Sequence, residues 1–218
     1  MDFQWSVIWE ALPNLLQGAR LTILIAAVGL AGGLTLGALA GMVRTYGPNS
    51  LDWLARGYIL LIRGTPLVVQ VMFIYFALPI LAGVRIDGLT AAILSIIINS
   101  GAYVAEIVRG SLLSIPKGLQ EAGLAMGLPF SKVLRLIIGP LAFRRMIPAL
   151  GNQCITSLKD TSLFIVIGVG ELTRQGQEIM AENYRAVEIW TAVAVIYLLI
   201  LTAMAYGLKY IEKRMPIL

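Results

Sequence analysis

The chain has no histidine, and its one cysteine, Cys154, sits in an apolar stretch. Without histidine there is no zinc-protease helix, no serine–histidine triad and no cysteine–histidine pair. One cysteine cannot close a disulfide within the chain or build a cysteine-ligated metal site. A serine–lysine dyad is the nucleophilic option that survives, and no sequence feature supports it. We therefore assign no catalytic residue and no metal ligand. The sequence also lacks the Gly-x-x-x-x-Gly-Lys-[Ser/Thr] phosphate loop, so any nucleotide chemistry is expected in another chain. Charge is scarce: 13% of residues are Asp, Glu, Lys or Arg, against about 25% in soluble domains. The first basic residue is Arg20, so the positive region that opens a cleavable signal peptide is not expected. Inverted halves, a mark of many secondary transporters, are not visible.

Apolar sequence is abundant. Hydrophobic residues make up 58% of the 218, with a mean hydropathy of +0.83. This predicts an all-α integral membrane protein with about five transmembrane helices, each needing about 20 mostly apolar residues. The expected spans are 21–43, 65–84, 89–105, 147–170 and 189–208, together forming a permease domain over 18–210. Residues 1–17, with Trp5 and Trp9 one turn apart, predict an interfacial helix, and 211–218 a short tail. Gly29, Gly33, Gly37 and Gly41 recur at every fourth position. They predict a helix face that another backbone approaches closely. Pro79 is expected to kink the second span near its far end.

Lys and Arg divide unevenly between alternate segments. With the N-terminus outside, twelve fall on the inner side and four on the outer, and Lys159 is left within a span. The positive-inside rule then predicts an outside N-terminus and a cytoplasmic C-terminus. The basic residues are better explained by topology and membrane lipid than by nucleic acid. The outer 171–188 segment is acidic, and Glu171 and Glu178 are candidates for meeting an extracytoplasmic protein.

The longest connection, 106–146, lies on the inner side. It carries Glu121-Ala122-Gly123, then Gly127, Ile137 and Gly139-Pro140. Gly127 suits a sharp turn, Pro129 the start of a helix, and Pro140 its expected end. This pattern resembles the EAA loop of ABC importer permeases, with Gly123 in place of an alanine and Gly139 in place of a leucine. Arg63-Gly64-Thr65-Pro66, Asn99-Ser100-Gly101-Ala102-Tyr103, Lys159-Asp160-Thr161-Ser162-Leu163 and Glu171-Leu172-Thr173 also resemble the polar amino acid permeases of that superfamily.

The resemblance implies a type I, MetI-like importer permease of the bacterial inner membrane. It implies a second permease chain, identical or paralogous, two cytoplasmic ATPase subunits that hydrolyse ATP with Mg, and an extracytoplasmic amino acid binding protein. The 106–146 loop becomes the coupling loop, with Glu121, Ala122, Gly123 and Gly127 at the ATPase. Its small residues would seat it in a groove on that partner. The substrate class is a polar amino acid, glutamine first, with glutamate, aspartate, histidine or arginine as alternatives.

Lys159 and Asp160 lie near the middle of the fourth span. A charge at that depth costs about 2.5–3.5 kcal/mol on insertion scales, so the pair must face a polar cavity or each other. The candidate substrate-binding set is Lys159 for a carboxylate, Asn99, Thr161 and Ser162 for hydrogen bonds, and Asp160 for charge balance, a helix cap or an ammonium. The change from a polar first half to an apolar second half suggests a broken helix, with Asp160, Thr161 or Ser162 capping a new half-helix. A buried ion pair or capping network that only holds the bundle together is the alternative for these residues. An ion-coupled secondary transporter is the alternative for the whole chain.

Overall fold

A computed structural model describes residues 3–215, and these contain helices and no strand. The ends of the expected interfacial segment (1–2) and tail (216–218) lie outside the described residues. In chain order the helices are α1 (Trp5–Tyr46), α2 (Asn49–Arg63), α3 (Leu67–Met72), α4 (Leu78–Ala82), α5 (Gly88–Leu113), α6 (Lys117–Ala125), α7 (Phe130–Val133), α8 (Gly139–Asp160), α9 (Leu172–Asn183) and α10 (Ala186–Arg214). α1, α5 and α10 are long and apolar enough to cross a membrane, and α2 with 67–82 does so as a bent pair.

The N-terminal segment is not a separate helix. α1 runs unbroken through Pro13 for 42 residues, about 63 Å at the α-helical rise. Ala11, Leu15 and Ala19 recur at every fourth position and pack against Leu172, Ile189 and Val193 of α9 and α10. That apolar face draws the segment into the bundle, while Trp5 and Trp9 stay exposed.

The second span bends twice. α2 and the 67–82 helix meet at 105° across Gly64-Thr65-Pro66. Pro66 has no N–H, and the residue before a proline is biased away from helical geometry. Near Pro79 the helix widens rather than ending: a π-helical turn, Phe73–Ala77, precedes α4. The proline ring crowds the carbonyl four residues back, and an extra residue in the turn relieves the clash.

Pro140 behaves the same way. It sits in the first turn of α8 behind a second π-helical turn, Leu134–Ile138. The helix that begins after Pro129 therefore does not end at Pro140 as expected but continues through it into α8. α5 outruns its expected end at Ala105 because Val108 and Leu112 bury against Val133, Ile138 and Ala142, while Glu106 and Arg109 pair on the other face, 3.5 Å apart. At its other end Asp87 caps it. Thr90 donates its hydroxyl and its amide N–H to that carboxyl, at 2.6 and 3.0 Å, and these bonds hold the group below the usual carboxylate range.

The core runs along α5. Gly29, Gly33, Gly37 and Gly41 of α1 meet Ile96, Ser100, Val104 and Val108 of α5. A Cβ on Gly37 would lie 2.5 Å from Val104 Cβ and 2.7 Å from the Gly101 carbonyl oxygen. Only glycine permits this backbone approach, which gives the four-residue repeat a packing role.

Candidate functional site

The expected break in the fourth span falls where the polar and apolar halves meet. α8 ends at Asp160, and a 3-10 stretch, Thr161–Ile167, follows. Seven residues is long for this tight helix, which is usually confined to three or four. The stretch is held because Phe164 and Ile167 are buried with Val71, Ala92 and Ile96. Gly168, at φ 73°, then turns the chain.

The new helix is not capped by Asp160, Thr161 or Ser162. Thr161 Oγ1 donates to the Leu158 carbonyl at 2.7 Å, and Ser162 Oγ to the Lys159 carbonyl at 2.8 Å. These hydroxyls satisfy the final carbonyls of α8, so residue 160 marks a helix C-terminus. Such an end carries a partial negative charge and favours cations. A carboxylate placed there would gain from Lys159 alone, whereas an ammonium would gain from both Asp160 and the helix end.

Lys159 is exposed and Asp160 half-buried. Adjacent helical residues do not face each other, and neither side chain has an ion pair among the described residues. Asn152 and Thr156 are exposed too, and successive spacings of four and three residues put Asn152, Thr156 and Lys159 on one face. The inward face holds Gln153, whose amide donates to Ser157 Oγ at 3.1 Å. A polar outer face explains why α8 fails as an ordinary apolar span.

Asn99 does not join that face. It is buried, and its amide donates to Gln70 Oε1 at 3.1 Å. Gln70 in turn donates to the Ile62 carbonyl at 2.7 Å and to the Thr65 carbonyl and hydroxyl at 3.0 Å. This chain of amides repairs the backbone freed at the Gly64–Pro66 bend. Beside it, Ser100 lies under Gly33 and Gly101 lies under Tyr58, whose hydroxyl donates to the Ile98 carbonyl at 2.6 Å. Tyr103 carries the Arg63 guanidinium 5.3 Å from its ring centre. The 99–103 motif is thus a junction at which α1, α2 and α3 meet α5. Gln70 went unnoticed in the sequence. A lone amide five residues beyond a Gly-Thr-Pro bend was the available signal.

At the basic end of the bundle, Glu106 faces three guanidiniums: Arg44 at 3.4 Å, Arg109 at 3.5 Å and Arg63 at 4.0 Å. Arg44 also meets Asp52 at 2.9 Å. These pairs tie α1, α2 and α5 together below the bend.

In the 106–146 loop, α6 starts directly after Pro116, and α7 after Pro129. Gly127 between them has φ 80°, in the left-handed region. Glu121, Ala122 and Gly127 are exposed. Gly123 is buried instead, and a Cβ there would lie 2.9 Å from Val133 and 3.0 Å from Ile137. Its small size serves closure of the loop on itself rather than a partner's groove.

Glu171 is also internal. It is fully buried, caps α9 by accepting from the Thr173 and Arg174 amides at 2.9 and 2.8 Å, and receives the Tyr197 hydroxyl at 3.0 Å. Next to it, the Leu172 amide donates to Thr22 Oγ1 of α1 at 3.1 Å. Burial removes Glu171 from the surface offered to an outside protein. Glu178 stays exposed, paired with Arg174 at 2.7 Å.

The comparisons with known proteins agree with this architecture. Residues 33–216 match the family described as binding-protein-dependent transport system inner membrane component. The chain is 59% identical over its full length, and over the relative's full length, to the glutamine transport system permease protein of Escherichia coli strain K12. It is 33% identical to the arginine transport system permease protein of Bacillus subtilis strain 168, covering 99% of this chain and 98% of that one. Among solved structures, an amino acid ABC transporter with histidines superposes at a TM-score of 0.91, with 31% identity, over 98% of this chain and 100% of its own. A methionine ABC transporter in an inward-facing conformation shares the fold at a TM-score of 0.75, with 21% identity, over 98% of this chain and 100% of that chain. With more than four-fifths of its length inside the family match, the chain is a member of the binding-protein-dependent inner membrane permeases of amino acid ABC importers.

Proposed function

We propose that the chain translocates a polar amino acid, glutamine before any other, by alternating access. Two permease chains enclose the pathway, two ATPase subunits bind the 106–146 loops from the cytoplasm, and a binding protein delivers substrate outside. The N-terminus is outside and the C-terminus cytoplasmic, an orientation that the asymmetry of basic residues supports. The full-length identity to a glutamine permease supports the substrate.

The observation that carries the site is the unpaired Lys159 and Asp160 at the end of α8. Opposite charges without partners, on the polar edge of a helix, suit a zwitterion. Lys159 receives the α-carboxylate, and Asp160 with the α8 C-terminus receives the ammonium. Ser162 keeps an acceptor lone pair for the side-chain amide, whereas Thr161, fully buried, and Asn99, held by Gln70 at the bend, stand behind the site as part of the fold.

The test is uptake of labelled glutamine into vesicles holding the complex purified through this chain, with ATP inside and binding protein outside. ATP-dependent uptake that excess unlabelled glutamine suppresses is the expected result. Uptake driven by an ion gradient without ATP would overturn the mechanism. Suppression by another amino acid but not by glutamine would overturn the substrate.

A further inference from the structure

We propose that an apolar groove between α1, α5 and α8 holds one acyl chain of an anionic phospholipid, with the lipid phosphate on Arg135. The groove is about 720 Å³, and Leu34, Ala38, Val108, Ala142 and Leu150 are among its walls. It lies on the side of α5 away from the Glu106 cluster, in the half of the bundle nearest the 106–146 loop. Helical register explains it. Gln153 and Ser157, on the side of α8 that continues the groove wall, are buried higher up. Lower on the same side Ala142 packs with Val104 and Val108, and the groove runs beside that contact along Leu34 and Ala38 of α1.

Water is a poor occupant. The volume equals roughly 24 waters at about 30 Å³ each, and each buried water needs two to four polar partners. The wall offers polar groups only at one end, where Ser131 and Arg135 stand. Neither the Ser131 hydroxyl nor the Arg135 guanidinium has a partner among the described residues, and both are exposed. A hydrocarbon slot that opens sideways and ends in a free guanidinium complements an anionic headgroup over an acyl tail. Basic pockets between transmembrane helices on the cytoplasmic side bind acidic lipids in this way. On the proposed orientation the lipid belongs to the inner leaflet. The inference does not depend on which amino acid is carried.

The experiment is native mass spectrometry of the delipidated complex, purified through this chain, after adding phosphatidylglycerol or phosphatidylcholine. Phosphatidylglycerol should be retained about fivefold more than phosphatidylcholine, the value of one basic contact at a bilayer surface. Arg135→Gln should erase that preference. Ala38 is exposed, so Ala38→Trp fills the groove without disturbing the core and should reduce retention of both lipids. Equal retention of both lipids by the unaltered protein would overturn the proposal, since it indicates annular lipid. Unchanged phosphatidylglycerol retention in Ala38→Trp would do the same. Loss of a permease subunit in Ala38→Trp would assign the groove to a second copy of the chain instead.

Discussion

The α1–α5 seam and the α8–α9 turn are built on opposite terms. Along the seam, glycines at every fourth residue bring two backbones together, and the facing side chains fill the space completely. At the turn, an α-helix gives way to a 3-10 stretch, a left-handed glycine and a capped new helix within twelve residues. Among the described residues, the seam's Ser100 hydroxyl is satisfied by the Ile96 carbonyl, whereas Lys159 and Asp160 at the turn have no ion pair. Close packing makes the seam a rigid body, and irregular backbone leaves the turn with polar groups that the fold itself does not use. The Gly64–Pro66 bend lies between these extremes. It is as irregular as the turn, yet Gln70 and Asn99 satisfy it internally.

The sharpest way to separate the two regions is to remove the charge at the turn. Lys159→Met should keep assembly and basal ATPase activity and lower glutamine uptake by about ten- to a hundredfold. A hydrogen bond to a charged group is worth about 1.5–3 kcal/mol. Uptake with an unchanged apparent affinity would make Lys159 structural, and the comparison would fail.

The seam should break by a different route. Gly37→Val forces a side chain against Val104 and the Gly101 carbonyl. Overpacking costs about 1–3 kcal/mol, and the backbone contact puts this case at the upper end. We expect lower yield of folded protein and a reduced unfolding temperature in detergent, with any surviving complex keeping its normal substrate affinity. A wild-type melting temperature would show that the seam opens freely and is a moving contact.

How far these regions were legible in the sequence follows from what each is made of. A glycine every fourth residue is periodic, so the seam was visible before any coordinates. The break near residue 160 was visible as a change from polar to apolar composition. Its polarity was not, because Thr161 and Ser162 are common at both helix ends, and which carbonyls they meet depends on the three-dimensional turn. Glu171 was misread for a related reason: a carboxylate in an acidic stretch looks solvated until Tyr197, 26 residues away, is brought onto it. Asn99 sat in a recognisable motif, but its partner Gln70 lies on another helix. The long α1 escaped because Trp5 and Trp9, one turn apart, suggested a separate surface helix, and only tertiary packing shows its buried face.

The coupling loop offers a milder perturbation. Gly127→Val places a β-branched residue at φ 80° with no atom near enough to clash. The cost is conformational, about 1–2 kcal/mol, and should appear as a distorted loop. Insertion and substrate affinity should remain, with substrate-stimulated ATPase activity of the complex reduced several-fold. Gly127→Asn, which tolerates the left-handed region better, should recover much of the loss. Equal activity in all three proteins would remove the turn from the coupling path.

The smallest effect expected is at the outer end of the turn, and it decides whether Glu171 belongs to the fold or to a docking surface. Glu171→Ala removes the acceptor of two α9 amides and of the Tyr197 hydroxyl. Loss of a helix cap costs about 0.5–2 kcal/mol, and Tyr197 keeps Thr173 Oγ1 at 2.9 Å as a second partner. A change of about 1 kcal/mol lowers the melting temperature of a chain of this size by about 2–4 °C. Tyr197→Phe leaves both cap bonds in place, so its shift should be smaller than that of Glu171→Ala. Affinity for the binding protein should be unchanged in both variants, because the carboxylate is fully buried. If Glu171→Ala keeps its melting temperature while binding-protein affinity falls, the residue reaches the surface in the working cycle. In that case α9, whose N-terminus is tied to α1 through Thr22, would have to lift away as the turn deforms.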